Sequence, residues 1–96
     1  MSLSVVWSPN AEEDLAEVLL YVEDIFGLDV ALRLLDTIEE KVELIAEFPR
    51  MYPRSVQRPE IRKAVITRQT SLIYRIWKEE VQILHVWDNR KLSGEI

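Results

Sequence analysis

Apolar residues recur along the first half of the chain with helical spacing and along the last third with alternating spacing. Leu3 to Trp7 (LSVVW) is a short β-rich run that predicts a first strand. Ser8-Pro9 then marks a helix start, with Ser8 as N-cap and Pro9 at the first helical position. Ala11, Leu15, Val18, Leu19, Val22 and Ile25 form one apolar stripe, and Gly27 ends this helix. Asp29 is placed to cap a second helix, whose stripe is Ala31, Leu34, Leu35, Ile38, Val42 and Ile45 and whose stop is Pro49. So short a connection implies an antiparallel hairpin of helices.

Residues Pro49 to Pro59 (PRMYPRSVQRP) read as a semi-rigid basic loop. Three alternating segments follow, Ile61 to Thr67, Ser71 to Lys78 and Val81 to Trp87, each predicted as a strand. Glu79-Glu80 sits where a hairpin turn belongs but lacks the usual glycine or asparagine, so a longer or bulged turn is expected. The polar tail from Leu92 is expected to fray. The order is β-α-α-β-β-β, an α+β fold with the helical hairpin on one face of a mainly antiparallel four-stranded sheet. On the third strand Leu72, Tyr74 and Ile76 fit the helix-covered face. Ile73, Arg75 and Trp77 then point the other way, and a two-residue hairpin would set Leu84 and Val86 beside them. That open face would stay partly apolar, which suits cover by a loop or by a partner chain.

Charge adds a second division. Residues 1–48 carry twelve acids against two bases, a net of −10, and residues 49–96 carry ten bases against five acids, a net of +5. An acidic helical layer should therefore back a basic sheet. The overall charge of −5 argues against a protein that coats nucleic acid and favours a local anionic partner for the basic half. At 96 residues the chain reads as one domain, residues 1–96, able to bury one core. The absence of cysteine excludes disulfides and thiolate chemistry and is compatible with a cytoplasmic location. No run of apolar residues has the length of a membrane span.

Candidate chemistry is sparse. His85 is the single histidine and lies mid-strand among apolar residues, where a structural role fits better than general-base catalysis. Arg62 and Lys63 could each bind phosphate, but neighbours on a strand face opposite ways. Asp88, Asn89 and Arg90 close the last strand as a turn or a contact site. Arg50, Arg54 and Arg58 belong to the basic loop, and Trp7 and Trp87 suit packing. Trp77 is the aromatic most suited to anchor an interface. The helix glutamates suit solvated faces, and with only Gly27 and Gly94 there is no phosphate-cradling loop. No cofactor or metal site is implied.

The segments VVWSPNAEEDL, LLYVEDIFG, IAEFPRMYP, IRKAVI, SLIYRI and VQILHVWDNRK occur in an order that resembles the RelE/ParE superfamily of type II toxin–antitoxin toxins, the plasmid stabilisation proteins. The resemblance covers nearly the whole chain. It implies a small α+β toxin neutralised by a cognate antitoxin, which wraps it with a helix and an extended segment. It also implies a target, either DNA gyrase for ParE-like members or messenger RNA on the ribosome for RelE-like endoribonucleases. The assembly expected is a homodimer or a toxin–antitoxin hetero-oligomer, without membrane contact.

Nuclease members place an arginine just before an aliphatic-aliphatic-Tyr run, and guanidinium groups suit phosphate. Here that place holds Ser71, ahead of Leu72-Ile73-Tyr74. Arg90 or Lys91 can match a second arginine, Arg62 and Lys63 loosely match strand-two cations, and nothing after Lys91 is aromatic or imidazole. Catalytic residues therefore stay unknown, with Arg62, Lys63, Arg90 and Lys91 as candidates if the chain is a nuclease. The incomplete set sits nearer the ParE-like branch. For target or antitoxin binding the candidates are Ile73, Arg75, Trp77, Leu84, Val86, Asn89 and Arg90. A degenerate domain that only binds antitoxin is the remaining alternative.

Overall fold

The computed structural model describes residues 2–89, so the expectations on Arg90, Lys91 and the tail from Leu92 lie outside the described residues. Strand β1 (Ser4–Trp7) leads into helices α1 (Pro9–Phe26) and α2 (Leu28–Glu47), then β2 (Arg62–Val65), β3 (Thr70–Trp77) and β4 (Glu80–Asp88). The four strands form one sheet in the order β1-β4-β3-β2, with β1 parallel to β4 and the other pairs antiparallel. Both helices pack on one face, as the periodicity predicts.

The first helix starts for the expected reason. The Ser8 side chain accepts the Ala11 amide at 3.0 Å, and its hydroxyl donates to the Leu84 carbonyl at 2.9 Å, so one residue caps α1 and ties it to β4. The second helix starts differently. Gly27 (φ +99°) is its N-cap, and no side chain caps it. Asp29 instead lies within the first turn, where its charge complements the helix dipole without closing a cap. The Gly27 amide donates to the Glu23 carbonyl and its own carbonyl accepts from Ala31, so a single residue ends one helix and begins the next. That positive φ is open to glycine at little cost.

The core lies between α1, α2 and the sheet and is built on Ile38, Ile45, Leu72, Tyr74, Val81 and Ile83, with Ala11 and Ala64 at the close approaches. Burying a large apolar side chain contributes roughly 1.5–3 kcal/mol, so this cluster is the main source of stability.

The β3–β4 hairpin differs from expectation in two ways. Its two-residue loop is Lys78-Glu79, not Glu79-Glu80, because Trp77 pairs with Glu80. Lys78 takes the positive φ (+57°) that such a loop demands and that glycine would supply more cheaply. Further along, Tyr74 pairs with Ile83 but Ile73 pairs with His85, which leaves Leu84 as an extra residue in a β-bulge. The bulge reverses the alternation of β4. Val81 and Ile83 face the helices before it, and Val86, opposite Leu72, does so after it. Val86 is therefore a core residue at 5% exposure and not a member of the open face, a correction to the face expected from simple alternation.

A candidate groove and the ends of the sheet

At the bulge the carboxylate of Asp14 reaches across from α1. Its Oδ2 accepts the Val86 amide at 3.1 Å and lies 3.1 Å from His85 Nδ1. An ionised carboxylate only accepts, so it selects the Nδ1–H tautomer. His85 is thus a partner of a structural carboxylate.

Asn89 has the same character. The Ser71 hydroxyl donates to Asn89 Oδ1 at 2.9 Å, Asn89 Nδ2 donates to the Arg68 carbonyl, and the Asn89 amide donates to the Gln69 carbonyl. These bonds lock the end of β4 to the β2–β3 turn. Ser71 itself is fully buried, so the sheet presents a short neutral side chain at that place.

Arg62 and Lys63 sit on opposite faces. Arg62 shares the core face with Tyr74, and its Nη1 donates to the Tyr52 carbonyl at 2.6 Å and the Arg50 carbonyl at 3.3 Å. Tyr74 donates its hydroxyl to the Pro49 carbonyl at 2.7 Å. Together they hold the chain where it leaves α2. Burial pushes the Tyr74 phenol up to about 12. Lys63 lies on the other face opposite Ile73 and is half-buried. The basic loop is partly ordered against the edge of β2, where Arg54 bridges Arg62 and the Ser55 amide donates to the Ile61 carbonyl.

On the face away from the helices, Trp77 is 51% exposed and the Arg75 guanidinium lies 5.1 Å from its ring centroid. Arg75 also donates to Gln82, which in turn donates to Glu80. This row is held in place yet accessible. Ile73 lies on that side by register but is buried, and Leu84 is half-buried at the bulge. The expected cluster is therefore not a continuous patch. Arg75 and Trp77 are together, whereas Val86 is elsewhere.

A concavity lies on the other side of the molecule. A groove of about 940 Å³ runs between the helical hairpin, the β2–β3 turn and the end of β4. Val18, Val22, Phe26, Val30 and Leu34 supply its apolar lining, and Asp14, Glu17, Arg33 and Asp88 its charges. At the hairpin tip Ile25, Phe26 and Leu28 are each more than half exposed. Of these, Val18, Val22, Ile25 and Leu34 belong to stripes that, from sequence, look like ordinary core, and Phe26, Leu28 and Val30 lie outside those stripes. The signal that could have exposed them is length. Helices of 18 and 20 residues face a sheet whose two outer strands have four residues each, too little to cover both stripes.

The sequence profile of the ParE toxin of the type II toxin–antitoxin system parDE matches residues 5–92. The chain belongs to the ParE toxin family. It is the toxin component of a type II toxin–antitoxin system, within the RelE/ParE superfamily. Solved structures share the ParE fold of this chain. A chromosomal ParDE toxin–antitoxin system from P. aeruginosa superposes with a TM-score of 0.79 at 24% identity, over 91% of this chain and 96% of that one. A YoeB/ParE toxin from Agrobacterium tumefaciens gives a TM-score of 0.69 at 12% identity over 91% and 99%. A chain of the E. coli DinJ–YafQ toxin–antitoxin complex gives 0.69 at 12% over 98% and 100%. No curated protein matches the chain in sequence. At these identities the superpositions establish the fold of this ParE-family chain. Among the described residues no helix is long and apolar enough to cross a membrane.

Proposed function

We propose that this toxin acts in the ParE manner, by occupying a protein target such as DNA gyrase, and that an antitoxin neutralises it by seating a segment in the hairpin groove. The observation that carries the first part is the Ser71–Asn89 bond. Cleaving RNA requires a cation aimed at a crowded phosphorane. At the place where nuclease relatives carry an arginine, this chain has a buried serine hydroxyl donating to Asn89. Arg62 is committed to two backbone carbonyls. Of the described nuclease candidates, only Lys63 has no such commitment, and one amine is a poor phosphoryl clamp. The Arg75–Trp77 row, with Arg90 beyond the described residues, is the part of the sheet suited to the target.

The assay is induced expression in a susceptible bacterium with two readouts. The expected result is growth arrest with SOS induction and intact ribosome-bound message. Codon-specific cuts seen by primer extension within minutes would reject this reading in favour of a ribosome-dependent endoribonuclease. Normal growth would leave only the degenerate, antitoxin-binding alternative.

A further inference from the structure

Another groove, of about 640 Å³, lies beside β1, between the first turns of α1 and the middle of α2. Trp7, Leu35 and Val42 are part of its apolar lining, and Glu12, Glu39 and Glu43 supply its charges. No base lies among its described lining residues, and none of the three carboxylates is in an ion pair with a described residue. Glu39 and Glu43 stand one turn apart on α2, where like charges destabilise each other, so a cation seated beside them relieves that repulsion.

The same chain carries a segment of the opposite chemistry. Val56 is 97% exposed, and Arg54 and Arg58, two residues to either side, are exposed as well. The turn that presents them is ordered. The Ser55 amide donates to the Ile61 carbonyl, the Arg58 amide to the Ser55 hydroxyl at 3.1 Å, and the Ile61 amide to the Arg58 carbonyl. A bridge between Arg54 and Arg62 fastens the loop to β2. A lone exposed valine is ordinary. One held on a fixed turn between two guanidiniums loses little freedom on docking. The Arg54 side chain has no ion-pair partner among the described residues. Arg58 meets Glu60 at 3.2 Å, but both are more than half exposed, and such a pair is readily exchanged.

The two surfaces lie at opposite edges of the sheet. β1 and β2 are its outer strands, with β4 and β3 between them. Three spacings of about 4.8 Å separate the edges, and the loop is fastened to β2, so the turn cannot reach the groove of its own chain. We infer that it docks into the groove of a second copy. Val56 enters beside Trp7, Leu35 and Val42, and Arg54 and Arg58 meet the three glutamates. The acidic half of one chain, net −10, is then the anionic partner of the basic half of the next, net +5. Each copy offers a turn on one side and a groove on the other, so the contact is heterologous and repeats head to tail. It buries little more than one turn, which places it below about 1,200 Å² and among transient contacts. It needs neither antitoxin nor target, so its failure and that of the ParE-like reading are separate events.

Sedimentation velocity of the full chain is the test, at about 0.05 M and about 0.5 M salt, where Debye lengths differ about threefold. At low salt the average mass should rise above that of one chain as concentration approaches about 0.1 mM, the range of weak contacts. High salt should weaken the association at least about threefold, as paired charges at an interface require. Two double variants each spoil one surface. Arg54→Ser with Val56→Ser removes the turn's contacts and keeps the groove, and Glu39→Lys with Glu43→Lys reverses the groove and keeps the turn. All four positions are exposed, so the fold tolerates the changes. Each variant alone should associate at least about tenfold more weakly than wild type. Mixed in equal amounts they should form a dimer and stop there, because one intact turn meets one intact groove. A wild-type chain that stays monomeric overturns the inference, as does association that strengthens with salt, which marks an apolar contact between like-charged copies. So does undiminished association of either variant alone, or a mixture that stays monomeric, since only a heterologous contact is restored by mixing.

Discussion

Replacing Asp14 by alanine should be among the most damaging single changes outside the apolar core. One carboxylate oxygen accepts both the Val86 amide and the contact from His85. Val86 is 5% exposed, so removing the carboxylate leaves its amide without its protein acceptor in a largely buried setting. Leaving a buried donor unpaired costs roughly 1–3 kcal/mol, and hydrogen bonds to charged groups lie at the upper end of that range. The His85 contact contributes little beyond this, because its side chain is 42% exposed and exposed ion pairs are worth about 0–1 kcal/mol. A loss of about 2–3 kcal/mol follows for Asp14→Ala. For a domain near 100 residues each kcal/mol moves the melting point by about 4–8 °C, so the drop should be about 10–20 °C. Asp14→Asn keeps an acceptor and should lose less than half as much, and His85→Ala should lose least. Thermal unfolding followed by circular dichroism gives all three. An alanine variant within about 2 °C of wild type would refute the reasoning, since it would mean that the bulge amide does not need the carboxylate. Equal losses for Asp14→Ala and His85→Ala would refute it differently, by assigning the energy to the Asp14–His85 contact.

Other outcomes follow from single residues. Lys78→Gly should raise stability by about 0.5–1 kcal/mol, because the strain of a non-glycine at positive φ exceeds the entropy glycine adds to the unfolded chain. A urea midpoint that falls would show the loop to be unstrained. Tyr74→Phe removes the bond to the Pro49 carbonyl and should cost about 1 kcal/mol by the same measurement, with no change expected only if water replaces the hydroxyl. The folded pKa of Tyr74, about 12, lies above its ordinary value of 10.0. Its contribution is therefore complete below pH 10 and is lost as pH rises through 12. Stability between those values should fall less steeply in Tyr74→Phe, and parallel curves would contradict the burial argument. Trp77→Ala should leave the melting point nearly unchanged while weakening target or antitoxin binding by more than about 1 kcal/mol, and unaltered binding would remove it from the interface.

Sequence alone was sufficient wherever a repeat or a cap has a local cause. The two stripes, the Ser8-Pro9 start and the alternation of Leu72, Tyr74 and Ile76 all correspond to observed elements. What it could not supply depends on long-range accommodation. Asp29 looks like a cap, yet the turn at Gly27 is so tight that the helix begins before it. Nothing in VQILHVW marks Leu84 as the extra residue, because the bulge forms where Ser8 and Asp14 hold the strand from α1. Arg62 reads as a free cation until the fold brings the carbonyls of Arg50 and Tyr52 to it. The groove was hidden for the opposite reason, since its lining repeats at core spacing and only the shortness of the sheet leaves it uncovered.

The bulge at Leu84 also makes the length of β4 part of its information. Side chains on a strand are read in pairs, one inward and one outward, and an extra residue resets which member of each pair comes next. Upstream of Leu84 the odd-numbered residues are inward, and downstream the even-numbered Val86 is. Substituting Leu84 leaves that reset in place. Deleting it would give an uninterrupted ladder in which Ile83, His85 and Val86 alternate in, out and in, so Val86 would stay opposite Leu72 and only the bulge would be lost. The bulge thus lets β4 carry one residue more than β3 without changing which of its side chains reach the core, and a Leu84 deletion variant that lost the wild-type near-ultraviolet dichroism would show otherwise.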